Sequence, residues 1–134
     1  MENIIQATKL TKVYGEKETS VTALDNIDVQ FNENEFTAIM GPSGSGKSTL
    51  LHCLAGLDRP TSGQILLKDQ DISTLNDKQL TKIRRDSFGF VFQAFNLIPT
   101  LTAEENITLP ASIAGRKPDM DWIKQVVETV DISD

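Results

Sequence analysis

The sequence predicts an α/β fold, because strand-like and helix-like segments alternate along most of its 134 residues. A glycine-rich loop between a short apolar segment and a helix-like segment supports this prediction, since phosphate-binding loops are flanked in this way. The composition, with 39% hydrophobic and 24% charged residues, is compatible with a packed core. The length fits one domain. The alternation of strands and helices also favours parallel pairing within the sheet.

In the first part of the chain, the clearest predicted strand covers residues 27–31. Apolar residues alternate there with polar ones, which is typical of a half-buried strand. The other predicted strands cover residues 3–10, 36–40 and 64–67. A helix is predicted over residues 47–57 because apolar residues form one stripe, at Leu50, Cys53, Leu54 and Leu57. The same stripe predicts that Cys53 is a small core residue.

The second part of the chain is predicted to contain three helices and one strand. Residues 76–86 form a polar helix-like segment, and residues 88–92 form an apolar strand-like segment. Thr102 and Glu105 satisfy the capping-box pattern, so a helix is predicted to begin directly after Thr102. Pro118 is predicted to open the last helix.

Residues 41–48 match the phosphate-binding pattern G-x-x-x-x-G-K-[ST] in full. They read Gly41-Pro42-Ser43-Gly44-Ser45-Gly46-Lys47-Ser48. Glycine lets successive backbone N–H groups turn toward phosphate oxygens, and the start of a helix favours an anion. Lys47 brings a positive charge to the terminal phosphates, and the Ser48 hydroxyl is a ligand for Mg²⁺. The pattern therefore predicts nucleotide binding, and the alternative is a glycine-rich linker that matches by chance.

The charge argues against one class of partner, and the cysteine content indicates a compartment. A net charge of −6 argues against nucleic-acid binding, which requires a basic surface. Cys53 is the single cysteine, so an internal disulfide is excluded and a reducing cytoplasm is favoured. The first residues do not have the basic and apolar regions of a secretory signal. We therefore expect a cytoplasmic chain that reaches a membrane only through a partner.

Three further features make the chain resemble the N-terminal half of an ABC-transporter ATP-binding domain. The first is Tyr14, an aromatic residue ahead of the strands that precede the phosphate loop. The second is the helix and turn after that loop, residues 50–63. The third is Phe90-Val91-Phe92-Gln93, which is similar to the Q-loop of the family. Residues 95–107 are most similar to the branch that serves lipoprotein release and macrolide or peptide export.

The resemblance implies a P-loop NTPase core with an N-terminal antiparallel β subdomain and the start of a helical subdomain. Residues 1–134 are then the N-terminal part of one ATP-binding domain, incomplete on its C-terminal side. The phosphate loop covers residues 41–49, the Q-loop lies near Gln93, and the helical subdomain begins at about residue 102 and continues to residue 134. In the family, strands beside the phosphate-loop strand come from the second half of the domain. We therefore expect residues 36–40 to have unpaired backbone groups.

The resemblance also implies roles for individual residues. ATP and Mg²⁺ are the implied cofactors, with the adenine ring stacked on Tyr14. The residues implied to hold the phosphates are Gly41, Pro42, Ser43, Gly44, Ser45, Gly46, Lys47, Ser48 and Thr49. Lys47 and Gln93 are the implied catalytic residues, and Ser48 with Gln93 is implied to attend Mg²⁺, since an amide can coordinate without carrying charge. Phe95 and its neighbours are implied to line a groove for a membrane permease.

The implied function is that of the ATP-binding subunit of an ABC transporter, which couples ATP binding and hydrolysis to export by a permease. Two complete domains would form a homodimer, and the chain would lie on the inner face of the cell membrane through the permease. The sequence contains no Leu-Ser-Gly-Gly-Gln signature segment, no acidic strand-end motif and no switch histidine. We therefore expect a fragment that binds nucleotide weakly at best and hydrolyses it negligibly alone.

Two other interpretations stay open at this point. Asp86-Ser87-Phe88-Gly89 matches the D-x-x-G pattern with which GTPases sense the γ-phosphate, although Asp86 is predicted to follow a helical segment rather than a strand. A comparison of ATP with GTP binding would separate this possibility from an ATPase. The third interpretation is a truncated domain that binds nucleotide or the permease without turnover, as a regulator or an inert remnant.

Overall fold

The chain divides after Phe88 into two units, and a four-stranded antiparallel sheet organises the first of them. The computed structural model describes residues 2–132. The strands are β1 (Asn3–Tyr14), β2 (Val21–Asn32), β3 (Ser62–Leu67) and β4 (Gln70–Asp71). They lie side by side in the order β2-β1-β3-β4. This sheet confirms the α/β fold class and the antiparallel β subdomain that the resemblance implied.

The expectation of parallel strand pairing is wrong for the part of the chain that the structure describes. The pairs β1–β2, β1–β3 and β3–β4 are all antiparallel. A short loop, residues 15–20, joins β1 to β2, and such a loop can connect only antiparallel neighbours, because parallel neighbours need a long crossover.

Two predicted strands, residues 36–40 and 88–92, do not form within the described residues. Both segments have irregular backbone without a hydrogen-bonded ladder. Phe36 is 99% exposed and Met40 is 88% exposed. A strand is stable only when a neighbour satisfies its N–H and C=O groups, and no described segment pairs with either of them. The unpaired state of residues 36–40 agrees with the expectation from the family.

Strand β1 continues to Tyr14, beyond its predicted end at Leu10. Its pairing with β2 shifts register between Ala7 and Leu10 and again before Lys12, and Lys9 has a left-handed φ of 49°. Bulges of this kind break the two-residue alternation from which strands are predicted. The N–H of Lys9 donates to Oδ1 of Asp28 at 2.7 Å, which gives the bulged backbone a partner.

Residues 2–132 form four α-helices, close to the predicted positions. They are α1 (Lys47–Leu54), α2 (Asp77–Ser87), α3 (Ala103–Ile113) and α4 (Met120–Thr129). Helix α1 is shorter than predicted, and α4 begins after Asp119 rather than at Pro118. The capping box of α3 is confirmed, because the N–H of Glu105 donates to Thr102 Oγ1 at 3.1 Å and the N–H of Thr102 donates to Glu105 Oε1 at 3.0 Å. Between residues 2 and 132, no helix combines the length and the apolar character needed to cross a membrane.

The core of the first unit lies between the sheet, α1 and α2. Its buried side chains are Ile5, Ala7, Leu10, Leu24, Cys53, Leu54, Ile65, Ile72 and Leu80. The prediction that Cys53 is a core residue is confirmed, and burial raises the pKa of its thiol. In the second unit, α3 and α4 line an apolar groove of about 310 Å³, and every side chain from residue 89 to 132 keeps partial exposure.

Gly63 allows β3 to begin directly against the bulge of β1. Its φ is +98°, and a Cβ at this position would lie 2.5 Å from the carbonyl oxygen of Lys9 and 2.7 Å from Cα of Leu10. These are backbone atoms of a central strand, so they cannot move aside without disturbing the sheet. Glycine is therefore required both by the left-handed conformation and by the close contact.

Replacing Leu10 by alanine should destabilise the first unit strongly, because its side chain is 0% exposed. We expect a loss of about 2–5 kcal/mol in the free energy of unfolding, as for other buried leucines. Leu51→Ala is the matched control, since the same atoms are removed from a side chain that is 44% exposed. Urea unfolding followed by circular dichroism measures both. Equal losses for the two variants would contradict the placement of Leu10 in the core.

Gly63→Ala should destabilise the chain more than Gly44→Ala does. Both glycines have positive φ, but a Cβ at Gly44 would meet nothing within 4 Å. Gly44→Ala therefore carries only the cost of left-handed backbone, about 1–2 kcal/mol, whereas Gly63→Ala adds a collision with backbone. Thermal unfolding of the two variants provides the comparison, and a smaller effect at Gly63 would contradict the close approach.

Candidate functional site

The predicted phosphate loop lies directly before α1, and Gly46 sets the start of the helix. Gly46 is the N-cap residue, with φ 94° and ψ 8°. A Cβ at this position would lie 2.5 Å from the carbonyl oxygen of Ala23 in β2. The N-cap therefore has to be glycine, and its contact with Ala23 positions the start of α1 against the sheet.

The N-terminal backbone donors of α1 have no side-chain cap within the described residues. In α2, α3 and α4, the cap residues Asn76, Thr102 and Asp119 accept a hydrogen bond from a backbone N–H of the first turn. Gly46 has no side chain that could do so. Leu50 is the first residue whose N–H bonds back along α1, to the carbonyl of Gly46 at 2.9 Å. The N–H groups of residues 47–49 are therefore available to an anion, which the helix dipole also favours.

The side chain of Lys47 folds back over the loop. Its ammonium group donates to the carbonyl oxygen of Gly41 at 2.5 Å and to that of Pro42 at 2.8 Å. The N–H of Ser45 donates to the same Pro42 carbonyl at 3.2 Å and closes the turn. An ammonium group has three donors, so these two bonds fix the charge beside the loop and leave one donor for another acceptor.

The donor set of the loop fits a polyphosphate. Residues 36–57 contain Lys47 and no acidic residue, although the whole chain has a net charge of −6. Ser48, in the first turn of α1, has an exposed side chain. Backbone N–H groups, an ammonium group and a hydroxyl group at one helix end are suited to phosphate oxygens and to the hard cation that accompanies them.

Tyr14, the proposed adenine platform, is the last residue of β1 and is 41% exposed. Its hydroxyl donates to Oδ2 of Asp58 at 2.8 Å, and Nζ of Lys12 lies 5.0 Å from the centroid of its ring. The hydrogen bond to Asp58 and partial burial raise the pKa of Tyr14, against smaller effects of Thr49 and Lys12. The Tyr14 side chain is therefore partly exposed to solvent and is also held by polar contacts with Asp58 and Lys12.

Asp58 and Lys12 are functional candidates that the sequence patterns did not single out. Nζ of Lys12 lies 3.1 Å from Oδ1 of Asp58. Partial burial acts to raise the pKa of Asp58, but hydrogen bonds from Tyr14 and Lys12 and the Lys12 charge hold it below its ordinary value. Asp58 is separated from Tyr14 by 44 positions, so no local pattern could have paired them. The only signal was that both residues lie in segments that resemble the family.

The remaining predicted site residues, Gln93 and Phe95, lie in the second unit. Gln93 is an exposed residue at a bend, and Phe95 is 92% exposed. The rings of Phe90 and Phe92 pack together with centroids 4.5 Å apart. The structure therefore brings Tyr14 and residues 41–49 together in the first unit and carries Gln93 on the second. Among residues 2–132, no three His, Cys, Asp or Glu side chains cluster closely enough to hold a metal ion.

The D-x-x-G match at Asp86 does not have the structural context of a GTPase. Asp86 lies in the last turn of α2, where its carboxylate accepts a hydrogen bond from Nε of Arg85 at 3.0 Å. A γ-phosphate sensor should follow a strand, and the segment after Asp86 forms no strand within the described residues. The structure therefore does not favour this alternative.

Comparisons with known proteins identify the family of the chain. Residues 24–134 match the ABC transporter family. A macrolide export ATP-binding/permease protein MacB of Marinobacter nauticus is 48% identical over 115 residues, which are 86% of this chain and 18% of that protein. A lipoprotein-releasing system ATP-binding protein LolD of Cytophaga hutchinsonii is 46% identical over 116 residues, which are 87% of this chain and 51% of that protein.

Solved structures give the same result. The dimeric, post-hydrolysis structure of the ATP-binding cassette MJ0796, from Methanocaldococcus jannaschii, bound to ADP and Pi matches with a TM-score of 0.81 and 44% identity. The match covers 92% of this chain and 54% of that one. The chain thus spans about half the length of the solved cassette and of the lipoprotein-releasing relative. The chain belongs to the ABC transporter family, within which it is homologous to the ATP-binding proteins of macrolide export and lipoprotein release.

Proposed function

We propose that this chain is the N-terminal portion of the ATP-binding subunit of an ABC exporter and that residues 41–49 hold the phosphates of ATP. One observation carries the proposal: helix α1 begins at a glycine, without a side-chain cap, beside an ammonium group that is fixed over the loop. This arrangement combines the dipole of a helix end with a localised positive charge. It also lies in a stretch without acidic residues.

Each group of the loop has a chemical role in this proposal. Residues 44–49 hold the phosphates, with the available backbone N–H groups of residues 47–49 donating to phosphate oxygens, and Lys47 neutralises the charge of the terminal phosphates. The Ser48 hydroxyl would hold Mg²⁺, and Gln93, in the second unit, is assigned a role toward Mg²⁺ and the attacking water. Tyr14 stacks on the adenine ring. Bound ATP supplies the phosphoryl bond that is hydrolysed, and the chain itself contributes orientation and electrostatic stabilisation.

Coupling to transport is assigned to the second unit. Its irregular segment carries apolar side chains that are largely exposed, with Val91 at 97%, Phe95 at 92% and Leu97 at 66%. Exposed apolar groups at such density are typical of interaction surfaces, and we assign this one to the membrane permease. We also assign α3 and α4 to the start of a helical subdomain over about residues 102–134.

The complete protein is expected to act as a dimer of ATP-binding domains on the cytoplasmic face of the membrane. The MJ0796 cassette, which this chain resembles, was solved as a dimer. The relatives named for macrolide export and lipoprotein release support export as the direction of transport. ATP binding would shift the population of closed dimers, and hydrolysis would release them.

Lys47→Ala should weaken the binding of Mg-ATP by about 10- to 100-fold, the range expected for hydrogen bonds to a charged partner. Titration calorimetry with the folded chain measures the affinity. Lys78→Ala is the control, because it removes the same charge from an exposed position in α2. Equal affinities for the Lys47 variant and the unaltered chain would contradict the proposal.

The chain alone should release phosphate from Mg-ATP no faster than the Lys47→Ala variant does. Lys47, Ser48 and Gln93 are the groups that it contributes, whereas phosphoryl transfer also needs an acidic group that orients water. A continuous phosphate assay at saturating ATP tests the expectation. Steady release that disappears in the Lys47 variant would show that these groups suffice without the missing motifs.

A further inference from the structure

The hydroxyl of Tyr14 and one face of its ring are both held by neighbouring charged groups. The Tyr14 hydroxyl donates a hydrogen bond to Oδ2 of Asp58 at 2.8 Å. Lys12, two residues earlier on β1, brings Nζ to 5.0 Å from the ring centroid and to 3.1 Å from Oδ1 of the same carboxylate. The side chain of Lys12 is only 14% exposed. Each of Tyr14, Lys12 and Asp58 therefore contacts the other two.

The turn that carries Asp58 is itself fastened to the end of β1. The ammonium group of Lys12 donates to the carbonyl of Arg59 at 2.6 Å. The N–H of Thr61 donates to the carbonyl of Thr11 at 2.8 Å, and the N–H of Val13 donates to Thr61 Oγ1 at 2.9 Å. Residues 58–61 thus extend the contact between β1 and β3 as far as Tyr14.

The same turn is continuous with α1. The N–H of Asp58 donates to the carbonyl of His52, in the last turn of α1, at 3.2 Å. The phosphate loop lies at the other end of this helix, whose eight residues span about 12 Å. One rigid element therefore connects the loop at its N-terminus with the carboxylate that holds Tyr14 at its C-terminus.

We propose that Asp58 is a positioning residue for nucleotide binding, which holds the Tyr14 ring at a fixed distance and orientation relative to the phosphate loop. This inference rests on the proposed binding of ATP at residues 41–49. Without the hydroxyl contact, an aromatic side chain at the end of a strand can rotate about its side-chain bonds. Fixing it beforehand lowers the ordering cost of binding. Lys12 lies over one face of the ring, and Tyr14 remains 41% exposed, so we assign the exposed part of the ring to the base.

The proposal explains why a tyrosine suits this position. A phenylalanine offers the same π face for stacking, but it has no hydroxyl for Asp58. Asp58 has no role toward the phosphates in this scheme, so its effect should depend on the presence of the base. This dependence separates a positioning role from a general effect on the fold of the site.

The experiment compares two probes, Mg-ATP and inorganic tripolyphosphate with Mg²⁺, on the full 134-residue chain. The variants are Asp58→Ala, Asp58→Asn, Tyr14→Phe and the double variant Tyr14→Phe with Asp58→Ala. Asp77→Ala is the matched control, because Asp77 forms an ion pair with Arg59 of the same turn at 2.7 Å without contacting the ring. Circular dichroism verifies that each variant is folded.

We expect Asp58→Ala and Tyr14→Phe each to weaken ATP binding by about three- to tenfold, the net effect of one hydrogen bond. The double variant should bind ATP no more weakly than the weaker-binding single variant, since both changes break the same contact. Asp58→Asn, which retains an acceptor oxygen, should recover part of the affinity. Tripolyphosphate affinity should stay unchanged in all of these variants, and Asp77→Ala should behave as the unaltered chain.

A spectroscopic measurement reports on the contact without any ligand. Tyr14 is the single tyrosine of the chain, so the ultraviolet absorbance of the phenolate follows this one group. Its hydrogen bond to the Asp58 carboxylate raises the pKa of Tyr14. Asp58→Ala should therefore shift ionisation to lower pH, whereas Asp77→Ala should not.

The outcomes distinguish failure of this inference from failure of the proposed function. If Lys47→Ala leaves the binding of both probes unchanged, the proposed phosphate site is wrong. If Lys47→Ala weakens the binding of both probes but Asp58→Ala leaves ATP affinity intact, only the positioning role is overturned. Equal losses of ATP and tripolyphosphate binding in Asp58→Ala would also overturn it, since the effect would then not depend on the base. Additive losses of ATP affinity in the double variant would also overturn the positioning role, because the two changes would then not act through one contact.

Discussion

The start of α1 is the constraint from which the proposed site follows. Gly46 adopts a left-handed backbone against the carbonyl of Ala23, and no side chain is present there to satisfy the first N–H groups of the helix. The ammonium group of Lys47 is held on the carbonyls of Gly41 and Pro42. A strongly polarised helix end and a fixed cation are therefore adjacent, and an anion is the natural partner for both. The sheet matters to the site chiefly because it supplies the surface against which Gly46 is fixed.

The fold connects the candidate phosphate site to the candidate adenine platform through short links. Tyr14 ends the central strand β1, and the turn after α1 is bonded to that strand by Lys12 and Thr61. Neither link depends on the second unit, because all of these residues precede Phe88. The first unit therefore contains both the candidate phosphate site and the candidate adenine platform, and each is supported by the buried cluster between the sheet, α1 and α2.

The two apolar segments that remain without strand partners have a common physical cause. Residues 36–40 and 88–92 have strand-like sequences, but backbone N–H and C=O groups need a neighbouring strand before such a segment becomes regular. Phe36, Met40 and Val91 consequently expose nearly all of their side chains. The match covers only 54% of the solved relative, and unpaired apolar segments of this kind are sites where a further strand or a partner can add.

The sequence by itself determined the phosphate loop, the α/β class, the antiparallel subdomain through the family resemblance, and most element positions. These features depend on local chemistry: glycine at a left-handed position, a capping box at Thr102, and a stripe of apolar residues around Cys53. Tertiary structure decided three things that no local pattern contains. It made the described sheet antiparallel throughout, it left residues 88–92 without a strand partner, and it brought Asp58 to the hydroxyl of Tyr14. Each of these depends on which distant segment lies alongside, and pairing across 44 positions is set by packing rather than by neighbouring residues.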